Sequence, residues 1–158
     1  MEEIILRKAA MVDCRDLLAW RNHPEVRKWH FNADKIEYKI HAKWFEKKIG
    51  SDNARIYIAE NRKKEKLGQI RIDIGENKSA YVTIDLNPEF FGMGLGSRII
   101  KIGTEIFVGK NSGIRAMLAE IYDENVASRK AFEKAGYALS HSILKKDRRI
   151  VVYKLGKN

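Results

Sequence analysis

Glycines at positions 92, 94 and 96 interrupt the stretch Ile84–Phe107, IDLNPEFFGMGLGSRIIKIGTEIF, between an alternating apolar run and a helical one. The alternating run must stop at Asn87-Pro88, because proline cannot donate to a strand ladder. Beyond the glycines, Leu95, Ile99, Ile102 and Ile106 recur on one helical face. A glycine has no Cβ to hold a ligand away from the main chain. At a helix start the first N–H groups lack partners and the dipole is positive. Gly92, Met93, Gly94, Leu95, Gly96 and Ser97 together therefore make an anion seat, best suited to a phosphate. Metal and disulfide chemistry have no comparable signal. His23, His30, His41 and His141 show no ligand spacing, and Cys14 is the single cysteine. That cysteine lies far in sequence from any base, which favours packing over nucleophilic use.

The elements that must position this loop can be followed along the chain. Ile4–Lys8 reads as a strand, and Asp13 as the N-cap of a helix carrying Leu17, Leu18 and Trp20. Pro24 breaks that helix or opens the next short turn as its first residue. A second helix is expected from Asp34 to Ile49, with Ile40, Trp44 and Phe45 on one face and Gly50 at its end. The period then changes to two, giving strands at Arg55–Glu60, Leu67–Ile74 and Ala80–Leu86 with short turns, an antiparallel meander. The loop and its helix follow, to about Gly109. Ile114–Ile121 is then a strand reached by a helix-containing crossover, parallel to the one before the loop. Asn125–Ala135 is a helix with Gly136 at its left-handed cap, and Tyr137–Leu144 with Ile150–Leu155 form a closing hairpin. The expectation is one α/β domain of about seven strands and four helices.

Length, at 158 residues, suits one domain and one core. The composition, 44% hydrophobic and 33% charged, is that of a soluble globular protein without a membrane span, and the acidic N-terminus is not a secretory leader. Together with the lone cysteine, this predicts a cytoplasmic protein. The net charge of +10 fits either a solvated lysine-rich surface or attraction of an anionic ligand. The basic residues fall in scattered pairs rather than a nucleic-acid-binding module, so no nucleic-acid partner is expected.

Strand, glycine loop and helix, followed by a strand and Asn125-Val-Ala-Ser-Arg-Lys-Ala-Phe-Glu-Lys-Ala-Gly-Tyr137, resemble the GNAT family of N-acetyltransferases. The resemblance covers roughly Ile84 to Tyr137. It implies the GNAT fold over residues 1–158: a mixed, mostly antiparallel seven-stranded sheet splayed between its fourth and fifth strands. An acceptor-side portion, 1–50, would precede an acetyl-CoA-binding core, 51–137, and a C-terminal hairpin, 138–158. The co-substrate implied is acetyl-CoA, with no metal. The backbone of Ile84, Asp85 and Leu86 would pair with the pantetheine arm. The N–H groups from Gly92 through Ser97 would hold the pyrophosphate, and Asn125, with Ser128 nearby, would bond the pantetheine. A plain N-cap also explains Asn125. Phe91 stands where the family usually has Gln or Arg, which shifts phosphate charge onto main-chain N–H groups and Arg98 or Lys130.

The reaction implied is attack of an uncharged amine on a thioester. It needs a proton acceptor and a donor for the oxyanion, expected at the N–H of Leu86 or Asn87. Glu120 matches a glutamate base of the ribosomal-protein branch; the alternative is a solvated strand-end glutamate. The family's usual acid, a tyrosine, is replaced by Phe132, and no acid is assigned. Trp20-Arg21-Asn22-His23-Pro24 and His41-Ala-Lys-Trp44 resemble the branch that acetylates UDP-linked amino sugars in pseudaminic acid biosynthesis. Arg21 can grip a diphosphate, and Trp44 or Phe45 offers a flat face. The acceptor site would thus use Arg21, Asn22, His23, His41 and Trp44, although aromatic residues at this spacing also serve as core. Alternatives are a protein N-terminus, a polyamine, or a non-catalytic acyl-CoA-binding module. The pattern allows a homodimer.

Overall fold

Two periodicities build one sheet with helices on both faces. In the computed structural model, which describes residues 2–156, the strands are β1 (Ile5–Lys8), β2 (Ala54–Glu60), β3 (Lys66–Ile74), β4 (Ser79–Leu86), β5 (Ala116–Tyr122), β6 (Ala138–Lys145) and β7 (Arg148–Gly156). Their spatial order is β1-β2-β3-β4-β5-β7-β6. Only β4 and β5 pair in parallel, as expected from the crossover; the other ladders are antiparallel. The helices are α1 (Cys14–Asn22), α2 (Pro24–Arg27), α3 (Tyr38–Ile49), α4 (Leu95–Lys110) and α5 (Val126–Lys134). No helix among the described residues is long and apolar enough to cross a membrane.

Strand alternation divides the core. Tyr57 and Ala59 of β2 face α4 and α5, with Ile70, Ile72 and Val82. Ile56 and Ile58, one position out of phase, pack with Cys14, Leu17, Trp20 and Phe45 of α1 and α3. Burial raises the Cys14 thiol's pKa, consistent with a packing role. The close turns follow local rules. Gly136 has φ 99, the left-handed cap read from the sequence, and Lys146 and Asp147 make the β6–β7 turn with φ 48 and 63.

Three local readings are corrected. Asp13 precedes α1 but its side chain caps nothing there. Its carboxylate instead accepts from Arg7 at 2.8 and 2.9 Å and from the Ala10 N–H at 2.8 Å, and Lys66 Nζ lies 2.8 Å away. These long-range partners outbid a local cap. The second helix starts at Tyr38, not Asp34, because Asn22 clamps Ile36 through both its main-chain groups, at 2.8 and 2.9 Å, in an extended approach. Its buried side chains are His41 and Phe45, while Ile40 and Trp44 stand partly open. On α4 the fully buried stripe is Leu95, Ile99, Ile100, Gly103 and Phe107, with Ile102 and Ile106 at its flank. The rotation follows from Gly103, where a Cβ would come 2.7 Å from Ile70 Cδ1, so helix and sheet approach most closely there.

Candidate active site

The parallel ladder between β4 and β5 ends early. Ser79, Ala80 and Tyr81 pair with Ala116, Met117 and Leu118, and beyond them the strands diverge. Asn87 donates to the Leu67 carbonyl of the β3 side at 2.9 Å. Strand alternation then turns the main-chain groups of Leu86 and Ile84 toward β5, where no ladder partner meets them. Asp85, read from sequence as a third main-chain contact, points its backbone at Gln69 of β3 instead. The Asn87 N–H is likewise committed, so of the two oxyanion donors expected, Leu86 is the one left free.

A cleft of about 660 Å³ occupies this splay, and Ile84, Asp85, Leu86, Glu120, Asn125 and Ser128 line it. Gly92 and Gly96 form its end. Gly92 and Gly94 have φ 76 and 71, and a Cβ at either would meet nothing within 4 Å, so the loop's concave side is open. Ser97 turns its hydroxyl to the Gly94 carbonyl at 3.5 Å, Leu95 is buried in the core, and Met93 is exposed. These main-chain N–H groups at the start of α4, with the free edge of β4, fit an extended, phosphate-bearing ligand. Asn125 caps α5 through Oδ1, which accepts from the Ser128 N–H at 3.2 Å. Phe91 lies against the edge of His23, and Arg98 donates to the Glu2 carbonyl, leaving Lys130 exposed.

A second cavity, of about 210 Å³, opens on the α1–α3 side of the sheet. Arg21, His41 and Trp44 line it, and His30, Arg71 and Asp85 line both cavities. Arg21 donates through Nη2 to the Asn32 carbonyl, but its Nη1 and the His41 Nε2 are buried without a partner. Burial, with Arg71 and Arg27 nearby, lowers the Arg21 pKa against the pull of Asp85, and a guanidinium stays charged regardless. Burial also lowers His41, helped by the Arg21 charge and opposed by a Cys14 main-chain bond. Asn22 and His23 line neither cavity. Asn22 holds Ile36, and His23 Nδ1 accepts from the Glu25 N–H at 3.1 Å to cap α2, with Pro24 as its first residue.

The tyrosines separate. Tyr137 is packed edge-on to buried Phe132, bonded to Thr104 at 2.7 Å and pushed up to about 12 by burial, against that hydrogen bond. Tyr122 lines the cleft beneath Arg148, whose guanidinium carbon is 3.5 Å from the ring centroid. Among the described residues no group of three His, Cys, Asp or Glu side chains is placed to hold a metal ion.

Residues 3–138 match the family model for the acetyltransferase (GNAT) domain. The chain belongs to the GNAT acetyltransferase family. Similar solved structures include a domain from Methanocaldococcus jannaschii DSM 2661, 20% identical with a TM-score of 0.84 over 99% of this chain and 100% of that one. The Vibrio cholerae spermidine N-acetyltransferase in complex with CoA and spermine is 17% identical, with a TM-score of 0.85 over 97% and 95% of the two chains. The aminoglycoside acetyltransferase AAC(6')-Ib in complex with coenzyme A is 15% identical, with a TM-score of 0.84 over 98% and 95%. At these identities the likeness is one of fold. No curated protein matches this acetyltransferase.

Sequence reasoning missed His30, Gln69, Arg71 and Asp73. For His30 there was no signal, since it sits in an irregular segment. For Gln69, Arg71 and Asp73 there was one: polar residues at every second position of a strand mark a face that is not core.

Proposed function

We propose that this acetyltransferase transfers the acetyl group of acetyl-CoA to the amine of an acceptor that also carries an anion, foremost a UDP-linked amino sugar. The observation that carries the acceptor reading is the buried, unpartnered pair of Arg21 Nη1 and His41 Nε2. Burying such an atom without a hydrogen bond costs about 1–3 kcal/mol. An acceptor presenting a phosphate to the guanidinium and a hydroxyl to the imidazole would satisfy both. Trp44, 38% exposed with the Arg71 guanidinium 5.2 Å over its ring, supplies a flat wall for a base or sugar.

A polyamine is the weaker acceptor. Each carboxylate lining the two cavities already faces a basic group: Glu25 meets Lys28, Asp73 meets Arg71 and Lys48, Asp85 meets His30, and Glu120 meets Lys145. A net charge of +10 further disfavours a polycation at the site.

When bound, acetyl-CoA supplies the acetyl group as a thioester. The N–H groups of Gly92 through Ser97 would hold its pyrophosphate, and the main chain of Leu86 and Ile84 its pantetheine arm. The Asn125 amide and Ser128 border that arm, and the Leu86 N–H is placed to stabilise an oxyanion. Two groups on the cleft walls can take the proton of the acceptor amine, Glu120 from β5 and His30 from the acceptor side.

The test is release of free coenzyme A across UDP-linked amino sugars, peptide N-termini and polyamines. Arg21→Ala and Arg21→Lys should each lower kcat/KM for the UDP-sugar on the order of 10- to 100-fold, the loss of charged hydrogen bonds, with coenzyme A affinity unchanged. Wild-type rates in both variants would remove the acceptor reading.

A further inference from the structure

His30 and Asp85 meet at the wall that the two cavities share. The histidine comes from the segment joining α2 to α3, and the aspartate from β4, next to the residues whose main chain faces the cleft. His30 Nε2 lies 2.8 Å from Asp85 Oδ1, and Gln69 Nε2 donates to Oδ2 at 3.3 Å. The side chains are 18% and 10% accessible, so the pair is largely shielded while remaining in contact with both cavities. An ionised carboxylate is an acceptor only, so the proton of a neutral imidazole belongs on Nε2. The lone pair then lies on Nδ1, which has no partner among the described residues.

We infer that His30 is the general base that takes the proton of the acceptor ammonium, with Asp85 as the residue that fixes its tautomer and orientation. The arrangement has the logic of a base oriented by a carboxylate on its far nitrogen. Imidazole is the side chain whose ordinary titration lies nearest neutral pH, which suits transfer from an ammonium better than a carboxylate does. The rival Glu120 faces the Lys145 ammonium, 3.8 Å away. Position favours His30 too: an acceptor anchored at Arg21 and His41 reaches the splay past it.

The protons balance in this scheme. Nδ1 of His30 removes one proton from the ammonium, and the freed lone pair bonds the thioester carbonyl carbon while that carbonyl's π pair moves to oxygen. The pair returns as the C–S bond breaks. A second proton leaves the nitrogen to the departing thiolate, the third stays on the amide, and the imidazolium releases its proton to solvent.

The charged groups around His30 are Asp85 on β4, Arg71 on β3, Arg21 on α1 and Glu120 on β5, with Glu25 and Lys28 near it in the chain. The proposal rests on acetyl transfer from acetyl-CoA and not on which amine is used. The experiment therefore compares two nucleophiles: hydroxylamine, uncharged at neutral pH, and the fastest alkylammonium acceptor of the panel. For His30→Gln, kcat/KM with the alkylammonium should fall by about 10²-fold or more at neutral pH and recover as pH rises. Turnover of hydroxylamine should fall far less than that of the alkylammonium, and coenzyme A affinity by calorimetry verifies folding. Asp85→Asn should likewise lower kcat/KM for the alkylammonium far more than for hydroxylamine, since the carboxylate that fixes the Nε2–H tautomer is gone. Equal losses for both nucleophiles in His30→Gln overturn the proposal, and so does a selective loss in Glu120→Gln instead. If coenzyme A binds but no amine turns over, the acetyl-transfer reading itself fails, and this one with it.

Discussion

Replacing Asp13 by Asn should unfold this protein earlier than any single change at its surface. The carboxylate is 0% exposed and sits where β1, the chain before α1, and β3 converge. It accepts from both terminal nitrogens of the Arg7 guanidinium and from the Ala10 N–H, with Lys66 alongside. Burial alone would raise its pKa; hydrogen bonds from Arg7, Lys66 and Ala10 outweigh burial and hold it well below the usual carboxylate range. An asparagine keeps the shape but removes the charge and turns a donor toward cations. Breaking a buried pair from one side costs about 3–5 kcal/mol. Neither cation is stranded, because Arg7 keeps Glu60 at 3.3 Å and Lys66 keeps Asp16 at 2.8 Å. The loss should therefore lie near the lower end, about 3 kcal/mol, or about 6–12 °C in Tm for a chain of this size. Urea denaturation at neutral pH would measure it. Because the folded-state pKa is depressed, the Asp13 contribution is complete above an unfolded-state value of about 3.9 and is lost as pH falls below that. The gap between wild type and Asp13→Asn should accordingly narrow from pH 4 downward. A loss under about 1 kcal/mol at pH 7, the range of exposed pairs, would refute the reasoning.

Other changes separate binding from packing. Gly94→Val forces a β-branched residue to φ 71 at the start of α4, and the coenzyme A Kd measured by calorimetry should rise, with strain of about 1–3 kcal/mol appearing in stability. Tyr137→Phe removes one buried hydrogen bond, to Thr104, and should lower stability by about 1 kcal/mol while leaving the pH–rate profile unmoved. In the wild type, stability supplied by the neutral Tyr137 should be complete below about pH 10 and fade as pH rises toward about 12, visible in alkaline denaturation. Gly103→Ala sets a methyl 2.7 Å from Ile70 Cδ1, and the overpacking should cost about 1–3 kcal/mol by thermal denaturation.

What the sequence determined by itself is what depends on near neighbours. Pro88 stops a strand, alternating glycines free the main chain, and a helix begins at Leu95; those rules marked the loop proposed to seat an anion without any tertiary information. Gly136 at a left-handed cap and the crossover between β4 and β5 were legible for the same reason, as local conformation and chain length restrict them. Helix faces and starts were less so. Asp13 and Asn22 have short polar side chains that suit a local cap or turn, yet their partners, Arg7, Lys66 and Ile36, lie elsewhere in the fold. The second cavity, the proposed acceptor pocket, was the least readable part. Arg21, His30, His41, Arg71 and Asp85 come from α1, a connecting segment, α3, β3 and β4, and no sequence spacing relates them. Only the packing of α1 and α3 on the sheet could bury a guanidinium nitrogen and an imidazole nitrogen without partners, and bring a histidine to a β4 carboxylate. Burial and long-range hydrogen bonding are properties of the assembled chain, so the tertiary structure alone decided where they fall.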